Sequence, residues 1–382
     1  MLIHGGTIVD PEAAGPAPGD ILVRDGTVVA IGEIEEREAD AADERFDASG
    51  LYLSAGWIDI HTHVFDHSGA ATRLEADRVG VEQGVACVVD AGSSGGATAD
   101  GFPAAVRETQ RTPAFALINV GSPGLPREAD GGGGHSSRPD LVSLEATVKA
   151  AERHTQWVRG IKVQASASHA APFGIEAVKI AREAADLTGL PVMAHIGSAP
   201  PALDETLSLL LEGDIVTHAY HGKAGGALTS DGRALPALRE AVERGVLIDI
   251  GHGRSSFAFA TCERALAEGL PVHSISTDLH RGNVDRYVVS LARTMSKLML
   301  LGLSLQAVVR AVTLAPARAL RLDGDGFGSL AVGRPAHVTA FRLRDEPLDL
   351  EDATGEVRRA ERWIDPVAVW VHGERHDRTA PV

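Results

Sequence analysis

The stretch that decides the fold is Gly56-Trp57-Ile58-Asp59-Ile60-His61-Thr62-His63-Val64, an apolar run that ends in two histidines one residue apart. Side chains alternate faces along a strand, so His61 and His63 project to the same side. Two imidazoles on one face at the end of a buried strand form half a metal site. The plainer reading is a pair of hydrogen-bonding histidines at a strand end, and the residues downstream weigh against it.

Downstream of Gly56, apolar strands alternate with amphipathic helices. Eight strands are expected, at 57–63, 85–92, 114–121, 158–166, 191–197, 214–220, 246–253 and 273–280. Helix-like stretches lie between them, at 73–83, 144–155, 175–188, 204–211, 234–243 and 257–268. Gly84, Gly189, Gly245 and Gly269 follow these helices at the usual stop position. Near-continuous apolar strands such as Val85-Ala86-Cys87-Val88-Val89 fit parallel strands covered by helices. Eight strand–helix units over about 250 residues match the (β/α)8 TIM-like barrel in number and size.

Upstream, residues 1–54 read as short strands broken by turns, with a hairpin signal at Asp25-Gly26. Strand texture returns after about Phe327, at 336–341 and 367–373. The simplest arrangement pairs residues 1–54 with 327–382 into a small composite β-sandwich domain and leaves 55–326 as the barrel. One low-complexity segment, 128–137, contains Gly131–Gly134 and reads as a flexible loop after the third strand, or as a lid.

The 382 residues are 44% hydrophobic, enough for a sizeable core, and no charge-free apolar run of 20 residues suggests a membrane span. The opening Met1-Leu2-Ile3-His4-Gly5-Gly6 has no signal-peptide pattern. The two cysteines, Cys87 and Cys262, cannot build a disulfide framework, so a cytoplasmic setting is expected. A net charge of −16 argues against nucleic acid and anionic membrane as partners. It leaves open a small anionic substrate, because a local cluster of metal and arginine outweighs the global field.

Barrel enzymes build their sites at the C-terminal ends of the strands. His61 and His63 end strand one, His195 strand five and His218 strand six; Lys162 lies mid-strand in strand four, and Asp278 is presented by strand eight. Taken singly, each has a structural reading. A lone buried histidine is usually a satisfied core residue, Lys162 could be half of a salt bridge, and Asp278 could cap a helix beginning near 283–285. The joint pattern is hard to explain that way and points to a metal centre. Tyr220 shares a face with His218 and His280 with Asp278, and His252 ends strand seven, so all three are candidates for the pocket. Lys223, Arg254 and Arg281 follow strands six, seven and eight and are candidates to hold a carboxylate. His67, His135, His154, His169 and His376 read as surface residues.

The sequence resembles the amidohydrolase superfamily of metal-dependent hydrolases over essentially its whole length. The resemblance rests on 56–63, the strand-four lysine, the later two histidines and the strand-eight aspartate. It extends to the exit at 315–320 and 328–337, although relatives usually have Ala-Asp where Ala336-His337 stands. Gly160-Ile161-Lys162-Val163-Gln164-Ala165-Ser166, Asp249-Ile250-Gly251-His252-Gly253 and Ser274-Ile275-Ser276-Thr277-Asp278-Leu279-His280 are similar to its amidohydrolase/deacetylase branch, near dihydroorotases and D-aminoacylases. The resemblance implies that His61, His63 and Asp278 hold one Zn²⁺ and His195 and His218 a second. It implies a bridging carbamate made by CO₂ on Lys162, with Asp278 as general base and then acid. The expected reaction is hydrolysis of an amide or ester, chiefly deacetylation of a small N-acyl or O-acyl carboxylic acid. Cyclic-amide hydrolysis is the runner-up. A deaminase fits less well, since such sites usually work with one metal and lack the strand-four lysine. Homo-oligomers are common among such proteins.

Overall fold

The computed structural model describes residues 1–40, 42–66, 73–125, 138–170 and 173–380. Seven parallel strands pair in chain order: Trp57–Thr62, Val85–Gly95, Ala114–Asn119, Val158–Ala165, Val192–Ile196, Ile215–Thr217 and Leu247–Ile248. Their residues are almost all buried, as strands covered by helices require. The eighth expected strand, 273–280, is not a regular strand. Ser274 bridges Asp249 on one side and Leu279 bridges Thr62 on the other, so this segment is hydrogen-bonded to both edges of the sheet. Asp278 explains the irregularity, because its φ of +55° leaves the extended region. Strand six likewise stops at Thr217 rather than running to Tyr220, since His218 has φ +67°. Strand seven is cut to two residues before Gly251 and Gly253, both at positive φ.

The helix expected at 175–188 forms as Ile175–Thr188, with Ala177, Val178, Ala181, Ala184 and Ala185 making one buried stripe. Gly189, at φ +69°, takes the left-handed position that stops it. No helix starts near 283–285. The next one is Leu291–Leu300, entered through Ser290, whose side chain accepts from the Arg293 N–H.

The two flanks meet in one sheet. Tyr52–Ala55 pairs antiparallel with Val338–Arg344, and eight strands drawn from 2–55 and 338–377 form a single hydrogen-bonded sheet. A separate hairpin joins Leu348–Glu351 to Val357–Ala360. The sheet buries its own cluster, including Ile3, Ile21, Val28, Leu53, Val338 and Trp370. Trp57 ties it to the barrel: its ring lies 5.3 Å from that of Phe341, and its indole N–H donates to the Ser54 hydroxyl at 3.0 Å. That anchor fixes the entry of the strand that carries His61 and His63. Among the described residues no helix is long and apolar enough to cross a membrane.

Candidate metal centre

The strand register sets the heights of the polar residues. Lys162 pairs with Asn119 and Met193, while His195 pairs with Gln164 and Thr217 further along. Lys162 points into the barrel, where its Nζ lies 3.1 Å from His61 Nε2 and 3.5 Å from Met193 Sδ. Gly92 makes room for it, since a Cβ there would stand 2.7 Å from Lys162 Cγ. Asp278 Oδ1 lies 2.9 Å from His63 Nε2 and 3.5 Å from His61 Nε2. The His218 ring centroid is 4.2 Å from that of His195 and 5.0 Å from that of His61. His61, His63, Lys162, His195 and Asp278 line a pocket of about 240 Å³, and His218 is wholly buried behind it. A larger cavity, about 860 Å³, opens elsewhere, among Pro191, Asp214 and Val272 near the strand starts, and holds none of these residues.

Three imidazoles are oriented from behind. His61 Nδ1 meets Thr217 Oγ1 at 3.0 Å, His63 Nδ1 meets Ser93 Oγ at 3.0 Å, and His218 Nδ1 donates to the Gly251 carbonyl at 2.5 Å. The last bond leaves His218 Nε2 as a lone-pair nitrogen, and it is buried with no hydrogen-bond partner among the described residues. A buried polar atom without a partner costs about 1–3 kcal/mol, so a ligand-accepting role explains what packing does not. One ligand atom each from His61, His218 and Asp278 falls within 4.8 Å of the others. Nitrogen and carboxylate donors at that spacing fit a divalent ion such as zinc. His218 and Asp278 are also among the few non-glycine residues at positive φ, a backbone strain of order 1–3 kcal/mol each that concentrates at functional sites.

Electrostatics keep the set in metal-binding form. Burial pushes His218 down to about 3 and holds His61 and His195 well below the ordinary histidine value, so all three imidazoles are neutral. Burial also lowers Lys162 to about 8, against the pull of Asp278, Asp249 and Asp90. Burial would raise Asp278, but its closeness to His61 and its contact with His63 outweigh it and hold the carboxyl well below its usual range.

Not every expected pocket residue is in the pocket. The Tyr220 hydroxyl donates at 2.6 Å to the Pro271 carbonyl, and the ring is fully buried. Alternation stops at Thr217, so counting two residues on from His218 fails. His252 is also buried, with Nε2 2.8 Å from Lys297 Nζ, and Arg281 is exposed outside the pocket lining. Lys223, Arg254 and His280 do line it. His169, read as a surface residue, lines it too, with its ring 4.9 Å from that of His195 and its Nδ1 within 3.1 Å of both Ser166 and Ser168 hydroxyls. Its place shortly beyond the end of the lysine strand was the available signal. His154 and His376 are buried rather than exposed. His67, His135 and the segment Gly131–Gly134 lie outside the described residues.

Known proteins resemble the chain over most of its length. A model of the amidohydrolase family matches residues 52–375. A deacetylase of Agrobacterium fabrum is 35% identical over 361 residues, covering 93% of this chain and 86% of that protein. A solved adenine deaminase aligns with a TM-score of 0.90 at 32% identity, over 98% of this chain and 99% of that one. A solved dihydroorotase gives 0.89 at 32% identity, over 100% and 98%. The chain therefore belongs to the amidohydrolase family, hydrolases of carbon–nitrogen bonds.

Proposed function

We propose that this protein is a binuclear metal-dependent hydrolase that removes an acyl group, chiefly acetyl, from a small N-acyl or O-acyl carboxylic acid. The observation that carries this reading is the convergence of neutral imidazoles, a partly neutral lysine and an ionised Asp278 on one pocket rimmed by Lys223 and Arg254. The deacetylase name of the A. fabrum relative supports the acyl assignment.

In this reading His61, His63 and Asp278 hold one Zn²⁺ and His195 and His218 the other. Lys162, brought down to about 8, keeps a fraction of neutral amine that would take up CO₂ as a carbamate with release of one proton, and the carbamate oxygens would serve as metal ligands. A pair of divalent ions supplies a nucleophile from water at neutral pH and polarises the acyl carbonyl. Asp278, held ionised beside His63, accepts the proton of the attacking water and returns it to the leaving group. Lys223 and Arg254, exposed at the rim, hold the substrate carboxylate by charge-assisted hydrogen bonds. His169 and His280 shape the walls between.

A second reading, cyclic-amide hydrolysis, is favoured by the likeness to a dihydroorotase. The test is a panel offered to zinc-loaded protein with bicarbonate: N-acetyl amino acids of both hands and O-acetyl 2-hydroxy acids scored as acetate, dihydroorotate and hydantoins scored as ring opening, adenine scored as ammonia. Acetate release abolished by Asp278→Asn is expected. Ring opening or ammonia release alone would move the assignment, and no turnover with no bound metal would refute it.

A further inference from the structure

Beneath the metal centre lies a fully buried carboxylate, Asp249, that faces three hydroxyls. Thr217 Oγ1 donates to its Oδ2 at 2.6 Å, Ser276 Oγ to the same oxygen at 2.7 Å, and Ser274 Oγ to Oδ1 at 2.7 Å. All these side chains are buried, so bulk water offers no substitute partners.

Burial raises the Asp249 carboxyl while the three hydroxyls favour its ionised form, and in that form it can only accept, which sets the direction of each bond. A threonine hydroxyl has one proton, and Thr217 gives it to Asp249. Its oxygen is then an acceptor toward His61 Nδ1, 3.0 Å away, which must carry a proton to make that bond. An imidazole with Nδ1–H has its lone pair on Nε2, the nitrogen that faces Lys162 and Asp278. The second arm runs the same way. Ser276 gives its proton to Asp249 and accepts from the Gly251 N–H at 3.2 Å, and the carbonyl of Gly251 receives His218 Nδ1–H. Gly251 fits this junction because a Cβ would stand 2.2 Å from Thr217 Oγ1 and 2.8 Å from His218 Nδ1. Ser276 also lies two residues before Asp278, so the carboxylate is tied to the segment that presents it.

We propose that Asp249 is a positioning residue which, through the Thr217 hydroxyl, locks His61 as the Nδ1–H tautomer and so presents Nε2 as a metal ligand. The proposal rests on the metal-centre reading above, but its first readout does not need the metal. Oxygen-to-nitrogen relays of this kind raise ligand basicity and fix ring orientation, and their loss typically costs 10–100-fold in metal affinity.

The variants are Thr217→Val, which removes the hydroxyl at nearly constant shape, and Thr217→Ser, which keeps it. Thr217→Ala removes the same hydroxyl without crowding and serves if the valine variant does not fold. In metal-free protein with ¹⁵N-labelled histidine, long-range ¹⁵N–¹H spectra should show His61 protonated at Nδ1 in wild type and Thr217→Ser. In Thr217→Val it should shift toward the Nε2–H form. Zinc affinity, measured by competition with a chromophoric chelator, should fall about 10–100-fold in Thr217→Val and recover in Thr217→Ser. A merely structural threonine would lower the urea midpoint and leave tautomer and affinity unchanged, and that result overturns the proposal. Wild-type protein that binds no zinc would defeat the metal reading, while the spectra would still decide the tautomer.

Discussion

Lys297 lies within the helix Leu291–Leu300 and is fully buried, yet its hydrogen bonds go to a histidine and a carbonyl rather than to a carboxylate. Its Nζ is 2.8 Å from His252 Nε2 and is hydrogen-bonded to the Tyr287 carbonyl. Burial, helped by the charge of Arg293, brings its pKa from 10.5 down to about 7, against the weaker pull of Asp352 and Glu351. Between pH 7 and 10.5 the unfolded chain therefore binds more protons at this site than the folded one. Stability must rise with pH across that window, by up to about 1.4 kcal/mol per pH unit and roughly 5 kcal/mol over the whole interval. Replacing Lys297 by methionine removes the titration and keeps most of the volume. It also leaves the Tyr287 carbonyl and His252 Nε2 without a donor, an offset of about 1–3 kcal/mol each that shifts the whole curve and not its slope. Urea unfolding of both chelator-treated proteins at about pH 7.5, 8.5 and 9.5 isolates the slope. Wild type should gain about 2–3 kcal/mol on Lys297→Met between the ends of that range. Parallel curves would show that Lys297 is an ordinary charged lysine and refute the argument.

Gly92, at φ +86°, faces the lysine stem at sub-contact distance, so Gly92→Ala should cost about 2–4 kcal/mol by denaturation and weaken zinc binding as Lys162 is displaced. Lys223→Met and Arg254→Met should each raise KM for carboxylate substrates about tenfold with kcat nearly unchanged, and should narrow the preference over uncharged analogues. Steady-state kinetics on a charged and an uncharged acyl compound check this; a kcat loss with KM intact would place these residues in the chemistry instead.

The repeating strands were legible because parallel strands buried on both faces read as apolar runs, and because glycine marks helix ends such as Gly189. His61 was legible for the same reason, and His63, one residue past the strand Trp57–Thr62, stays hydrogen-bonded to the Leu279 carbonyl and faces the same pocket. Periodicity fails where the backbone leaves the strand. His218, Asp278, Gly251 and Gly253 all sit at positive φ, so Tyr220 and His252 turn away from the pocket that counting by two assigns them. His169 was missed because it enters from the short helix Ala167–Ala170 after the strand, where no strand rule applies. The Asp249 hub was invisible as well. Ser274, Ser276 and Thr217 are individually ordinary in a sequence, and only closure of the ring brings them onto one carboxylate.

In the proposed function two divalent ions would share one centre, with Lys162 among the residues that would hold them. The most direct measurement is the metal-to-protein ratio of zinc-loaded, bicarbonate-treated protein after gel filtration, for wild type and Lys162→Ala, with acetate release followed alongside. Two ions per wild-type chain are expected, fewer in the variant, with activity that falls with the metal and is lost to chelator. A full complement of two ions in Lys162→Ala, or a wild-type chain that hydrolyses its substrate without metal, would contradict it.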